Sequence, residues 1–164
     1  MPLPRRLWCT NAVLGYLAGD VRYKTEYDLI IAAAQRGEIE IAVSTLAEAE
    51  VAYLQGQSDI DSEQRISEFF GRSYVIPIAF DRPVAVAARR LIREGKRLGR
   101  KLKPPDAIHL GTCELWNIPI LETDDQDLLA WDGSVGTPRI NIRKPQWEGT
   151  RPFPNIVSVR PPEP

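Results

Sequence analysis

The sequence predicts an α/β fold, a single domain with a central, mainly parallel sheet flanked by helices. Short apolar runs of strand length alternate with longer helical patterns along the chain, the order that builds parallel sheets. Turn and capping signals separate the runs, and 164 residues suffice for one domain with a substantial core. The first strand is expected over Arg6–Cys9, leading into a helix from Asn11 to Ala18 that stops near Gly19-Asp20. Thr25 with Asp28 resembles a capping-box start for a second helix, ending near Gly37. Ile39, Ile41 and Val43 alternate as a strand does, and Thr45-Leu46-Ala47-Glu48 opens the next helix. After the polar stretch Gln55 to Asp61, a short helix is expected over Ser62–Phe70 and a strand over Tyr74–Ala79. Asp81 is a good N-cap for a long helix with Pro83 in its first turn. Lys103-Pro104-Pro105 breaks the chain before a helix from Asp106 to about Trp116, and Ile118–Leu121 is the following strand. Beyond Trp131 the chain is rich in Pro and Gly, with short strands expected at Arg139–Ile142 and Asn155–Val159. The domain is placed at residues 1–131, with 132–164 as an extension packed on it and a loose Pro-rich end.

Composition excludes several classes. The chain is 43% hydrophobic and 26% charged, as in an ordinary soluble protein. No apolar run approaches the roughly 20 residues of a membrane span, and the start of the chain has two arginines but no apolar signal-peptide core. No membrane association is expected. Cys9 and Cys113 are too few for a disulfide framework, which points to a reducing, cytoplasmic setting.

In open α/β sheets ligands bind at the carboxyl ends of the strands, and here those ends are acidic. Strand one ends at Cys9-Thr10-Asn11, and strand two runs into Ser44 and the helix bearing Glu48 and Glu50. Another strand ends at Glu122-Thr123-Asp124-Asp125-Gln126-Asp127, and Asp106 opens the helix before it. Clustered carboxylates raise one another's pKa unless a cation intervenes. A hard divalent ion such as Mg²⁺ or Mn²⁺ relieves that repulsion, activates water and stabilises the charge that develops in phosphodiester cleavage. No Ser-His-Asp or Cys-His arrangement competes as a nucleophilic site. A phosphotransferase reading lacks a strand-end Asp-x-Asp nucleophile and its lysine.

Four segments in order carry a family resemblance. Cys9-Thr10-Asn11-Ala12-Val13-Leu14 resembles the opening of PIN domains, where an aspartate precedes Ser/Thr-Asn and an apolar run. Ser44-Thr45-Leu46-Ala47-Glu48 looks like the second motif, Pro105-Asp106-Ala107-Ile108-His109-Leu110 the third, and Thr123-Asp124-Asp125-Gln126-Asp127 the fourth. The resemblance spans residues 6 to 130 and implies a metal-dependent ribonuclease, similar to the toxins of bacterial toxin–antitoxin pairs. It implies Glu48, Asp106 and Asp125 as catalytic acids, and Asp106, Asp125 and Asp127 as ligands of Mg²⁺ or Mn²⁺. It also gives supporting roles to Asn11 and Thr123, and partnership with RNA, a small antitoxin protein and a second copy of the chain. Cys9 stands where the family places its first aspartate. A thiolate suits softer metals than Mg²⁺ and a neutral thiol is a poor ligand, so three outcomes stay open: weaker metal binding, a different metal, or lost catalysis.

Each acid also has a plain structural reading. Glu48 fits a capping box begun at Thr45, Asp106 a helix cap, and the Asp124–Asp127 run an exposed turn. Glu50 reads as a solvated helix residue, Cys113, Trp8 and Trp116 as core, and His109, the only histidine, as packed more readily than catalytic. The stretch Arg89–Lys103 holds eight basic residues and one acidic. Arg89, Arg93, Lys96, Arg97 and Arg100 recur at helical spacing, an RNA-binding stripe leading toward Asp106. The expected function is a metal-dependent endoribonuclease; the alternative is a catalytically degenerate module that binds RNA or a protein without cutting.

Overall fold

The computed structural model describes residues 2–149. Five strands form one all-parallel sheet in the order β3-β2-β1-β4-β5. The elements run β1 (Arg5–Trp8), α1 (Thr10–Ala18), α2 (Lys24–Gln35), β2 (Glu40–Ser44), α3 (Thr45–Glu50), α4 (Asp59–Phe70), β3 (Val75–Ile78), α5 (Arg82–Arg97), α6 (Pro104–Leu115), β4 (Ile120–Glu122), α7 (Gln126–Leu129) and β5 (Asn141–Arg143). The chain lays down β1, β2 and β3 outward in one direction, then returns to place β4 on the other side of β1. That reversal opens a crevice above the carboxyl ends of β1 and β4, the place where such sheets bind ligands.

β2 is buried on both faces and so reads as a continuous apolar run over Ile41–Val43, as parallel strands do, whereas β1 opens on two arginines before the buried Leu7 and Trp8. Trp8 at the end of β1 is fully buried and gathers Tyr16, Tyr27 and Phe69 around it, stacked on Phe69 at 6.0 Å. This aromatic cluster ties α1, α2 and α4 to the sheet. Trp116, also expected in the core, is half exposed because α6 ends at Leu115 and leaves it as the C-cap.

Several boundaries shift for identifiable reasons. Cys9 is the N-cap of α1 and not the last strand residue. Thr25 lies inside α2 and makes no cap; Tyr23 precedes the helix and Asp28 pairs with Lys24 at 2.6 Å. Ser58 caps α4 by accepting from the Asp61 amide at 3.1 Å, so this helix begins three residues before Ser62. Pro104 and Pro105 are the first residues of α6, where a missing N–H costs nothing. The expected strand at Arg139–Ile142 appears as β5, which pairs with β4 and completes the sheet. The one at Asn155–Val159 lies outside the described residues.

Helices α5 and α6 form an antiparallel pair, with Gly111 against Val84 and Ala88, and Gly95 near Leu102. A Cβ on Gly111 would stand 3.1 Å from the Ala88 amide nitrogen and 3.3 Å from the Val84 carbonyl oxygen. Backbone cannot yield there, so Gly111→Leu is expected to destabilise the chain by about 3 kcal/mol in urea unfolding. A change below about 1 kcal/mol would contradict this close approach.

Candidate active site

A cleft of about 460 Å³ opens at the reversal point between β1 and β4. Cys9, Thr10 and Asn11 enter it from the β1–α1 junction, and Thr123 and Asp125 from the end of β4. Glu50 comes from the last position of α3, and Asp106 and His109 from the first turns of α6. Residues more than 110 positions apart in sequence thus meet because parallel strands bring their carboxyl ends to one edge.

Asp106 is the third residue of α6 and not its cap; Lys103 holds that position. Its carboxylate sits at the helix N-terminus, where backbone amides favour negative charge. Burial and the neighbouring Asp125 nevertheless push its pKa up to about 6, with smaller contributions from Asp127 and Glu50 against the opposing charge of Lys103. Mutual repulsion between carboxylates in one cleft is therefore present in the fold itself.

Asp125 caps α7, accepting from the Asp127 amide at 2.8 Å, while its own amide donates to the Thr123 hydroxyl at 3.0 Å. Thr123 is fully buried and also meets the Cys9 thiol. Burial lifts the Cys9 thiol above its ordinary value, and the nearby Asp125 charge adds to that, so Cys9 is neutral at pH 7. A neutral thiol brings neither negative charge nor a hard donor.

Not every expected residue reaches the cleft. Glu48 is exposed and does not line it, whereas Glu50 lines it and accepts from the Thr10 hydroxyl. The helix is capped by Ser44, whose side chain accepts from the Leu46 amide, and not by Thr45. Two residues advance a helix by about 200°, so Glu48 and Glu50 occupy opposite flanks. Asp127 is largely exposed, outside the cleft, and paired with Lys103. His109 is 2% exposed, and its Nε2 lies 3.5 Å from the Thr10 hydroxyl. Burial alone presses its pKa down to about 4, so it is a neutral imidazole at pH 7. The Glu50–Thr10–His109 contact was not legible in sequence.

Of the basic stripe, Arg89, Arg93, Lys96 and Arg97 are exposed along α5. Arg100 is not available in the same way. It follows the end of α5, stacks on Trp131 at 3.9 Å, and donates to the Ala130 carbonyl and, at 3.4 Å, to the Ser134 hydroxyl. The stripe ends close to the cleft, because Gly95 near the end of α5 packs beside Leu102, one residue before Lys103.

Among the described residues no three His, Cys, Asp or Glu side chains form a finished metal cage. The donor set still fits one kind of ion. Mg²⁺-like cations hold several waters and take only one or two carboxylates, and Asp106 and Asp125 supply two oxygen-donor groups that repel each other without a cation. Among the described residues no helix is long and apolar enough to cross a membrane.

The comparisons with known proteins agree with this architecture. The family model described as the PIN domain matches residues 10–133. The fold is similar to VapBC2 from Rickettsia felis, solved on a DNA fragment from its promoter, with a TM-score of 0.65 at 15% identity, covering 85% of this chain and 98% of that one. It is similar to a toxin–antitoxin complex from Klebsiella pneumoniae, with a TM-score of 0.57 at 26% identity over 82% of this chain and 98% of the other. DNA-bound VapBC from Salmonella typhimurium gives 0.55 at 15% identity, over 87% and 98% of the two chains. No curated protein matches the sequence significantly. A five-stranded parallel sheet whose reversal point gathers the acids of the third and fourth motifs, together with a family match over most of its length, makes this chain a member of the PIN-domain family.

Proposed function

We propose that the chain is a divalent-metal-dependent endoribonuclease and the toxin half of a toxin–antitoxin pair. The observation that carries this reading is the meeting of Asp106, Asp125 and Glu50 in one cleft, with Asp106 raised to about 6 by burial and by Asp125. Asp106 and Asp125 would hold Mg²⁺ or Mn²⁺, with Glu50 beside them in place of the expected Glu48. The ion would supply an activated water and neutralise charge on the scissile phosphate. The protein's own part is positional. Thr123 fixes the backbone at Asp125, Thr10 fixes Glu50, and the neutral His109 backs Thr10 without adding charge. Asn11, exposed at the rim, is placed to contact the substrate. Arg89, Arg93, Lys96 and Arg97 would attract the RNA backbone without sequence preference.

The toxin assignment is supported by the similarity to chains solved in toxin–antitoxin complexes, and it names a small antitoxin protein as the partner. RNA cleavage by the purified chain is expected in Mg²⁺ or Mn²⁺ and is expected to stop in excess chelator. Cleavage that continues in chelator would contradict the metal-dependent reading.

The neutral Cys9 favours a second reading, in which the same cleft binds RNA without cutting it. Chelator-insensitive RNA binding with no cleavage in any divalent metal would select that reading.

A further inference from the structure

Three carboxylates line the cleft, Glu50, Asp106 and Asp125, against one cationic side chain among the described residues there, Lys103. His109 is neutral and adds no charge. A helix N-terminus often supplies backbone amides to an anion. Here that source is reduced, because α6 opens on Pro104 and Pro105, which have no N–H to give. The positive contact open to a phosphate in the cleft is therefore the Lys103 side chain.

The backbone fixes where this side chain starts. Lys103 is the N-cap of α6, its carbonyl accepts from the Ala107 amide at 2.9 Å, and two prolines stiffen the chain after it. The basic face of α5 leads to the same place, since Leu102 packs beside Gly95.

The tip of the side chain is held less firmly. Its ammonium pairs with Asp127, and the two side chains are 54% and 66% exposed. Water screens such a pair, and ordering two flexible side chains opposes it, so the pair exchanges readily. The ammonium also feels the acids of the cleft: Asp127 raises its pKa most, and Asp106 and Asp125 add to the rise. Lys103 thus stands between an exposed acid outside the cleft and two acids inside it.

We propose that Lys103 binds the substrate phosphate, held by Asp127 in the free protein and handed to the phosphate when RNA enters. The proposal rests on the ribonuclease reading of the cleft. The exchange replaces one anionic oxygen partner by another, and Asp127, already largely exposed, returns to water. Asp127 then acts as a competitor of the substrate for Lys103, a role separate from metal binding.

The test is fluorescence-anisotropy titration of a short labelled single-stranded RNA of mixed sequence with an Asp125→Asn chain, in Mg²⁺ over a series of KCl concentrations. Lys103→Gln, Lys103→Arg, Asp127→Asn and the Lys103→Gln/Asp127→Asn double variant are made in that background, and cleavage by the native chain is measured in parallel. Lys103→Gln is expected to reduce the slope of log affinity against log salt by about 0.7, the share of one phosphate contact on a single strand. Binding at about 0.1 M salt then weakens by about fivefold. Lys103→Arg keeps the charge and is expected to keep the slope. Asp127→Asn is expected to tighten binding by about twofold, and the gain is expected to vanish in the double variant, where no ammonium remains to be released. A general effect of removing a negative charge would persist there. An unchanged slope in Lys103→Gln, or a Lys103→Arg chain as weak as Lys103→Gln, would overturn the proposal even where the native chain cleaves RNA. Weaker binding in Asp127→Asn, a gain that survives in the double variant, or no RNA binding by any chain would overturn it as well. The expected pattern beside a native chain that cleaves nothing would support the Lys103 contact and overturn the ribonuclease reading alone.

Discussion

Asp106→Asn is expected to reduce RNA cleavage by about a thousandfold, the scale of removing a group that manages transition-state charge. The same substitution is expected to make the protein more stable at pH 7. The carboxyl of Asp106 has a folded pKa of about 6 against an ordinary value of 3.8, so between those values the folded state holds more protons than the unfolded state. Stability from this group is therefore complete below about pH 4 and declines as the pH rises through 6. An asparagine removes that decline. Asp106 is only partly buried, so solvent screening limits the gain to about 1 kcal/mol, or about 3 °C in melting temperature. Melting curves of both chains from pH 4 to pH 8 check this, and an Asp106→Asn chain that is less stable at pH 7 would contradict it. Loss of activity joined to a gain in stability distinguishes a strained functional acid from a helix-capping one.

The largest loss of stability is expected from Glu122→Ala. Glu122 is fully buried below the cleft and accepts from Arg6 at 2.8 Å, from the Trp8 indole at 2.8 Å, and from the Gln146 amide at 3.4 Å. Burial outweighs these partners and holds its carboxyl above the usual range. Arg6 is 6% exposed, donates also to the Gln146 carbonyl at 2.7 Å, and lies over the Trp147 ring. Removing the carboxylate strands this guanidinium in the interior and unties the segment after β5 from β1. The expected cost is about 3–5 kcal/mol in urea unfolding, the range for breaking a buried ion pair from one side. A cost under about 1 kcal/mol would show that Arg6 does not depend on Glu122.

The fold class was legible because parallel strands buried on both faces leave continuous apolar runs such as Ile41–Val43, and these alternate with capped helices. The convergence of Asp106 and Asp125 was legible from the rule that sites lie at strand ends. Which acid of α3 joins them was not. Glu48 and Glu50 flank the buried Ala47 and Val51 on opposite sides, and the choice depends on which neighbour α3 faces. Only the placement of β1 beside β2 puts Thr10 against Glu50. Ser44 as the N-cap was the available signal, since it moves the helix start and removes the capping-box role of Glu48. Arg100 misled for a related reason. It continues the spacing of Arg93 and Lys96, but α5 ends at Arg97 and Gly99 turns with φ of 71°, so the helical phase no longer applies. Glu122 was hidden at the head of an acidic run; its strand lies between β1 and β5, and that interior place buries it.

The most direct test of the account is cleavage of a mixed RNA panel in Mg²⁺ or Mn²⁺ by the native chain, Asp125→Asn and Cys9→Asp. The account predicts cutting by the native chain, loss of it in Asp125→Asn, and retained or increased cutting in Cys9→Asp, which restores a hard oxygen donor beside Thr123. A native chain that is silent beside an active Cys9→Asp chain would mean that Cys9 has switched the site off. Silence from all three, or equal cutting by native and Asp125→Asn chains, would contradict a metal-dependent ribonuclease in this cleft.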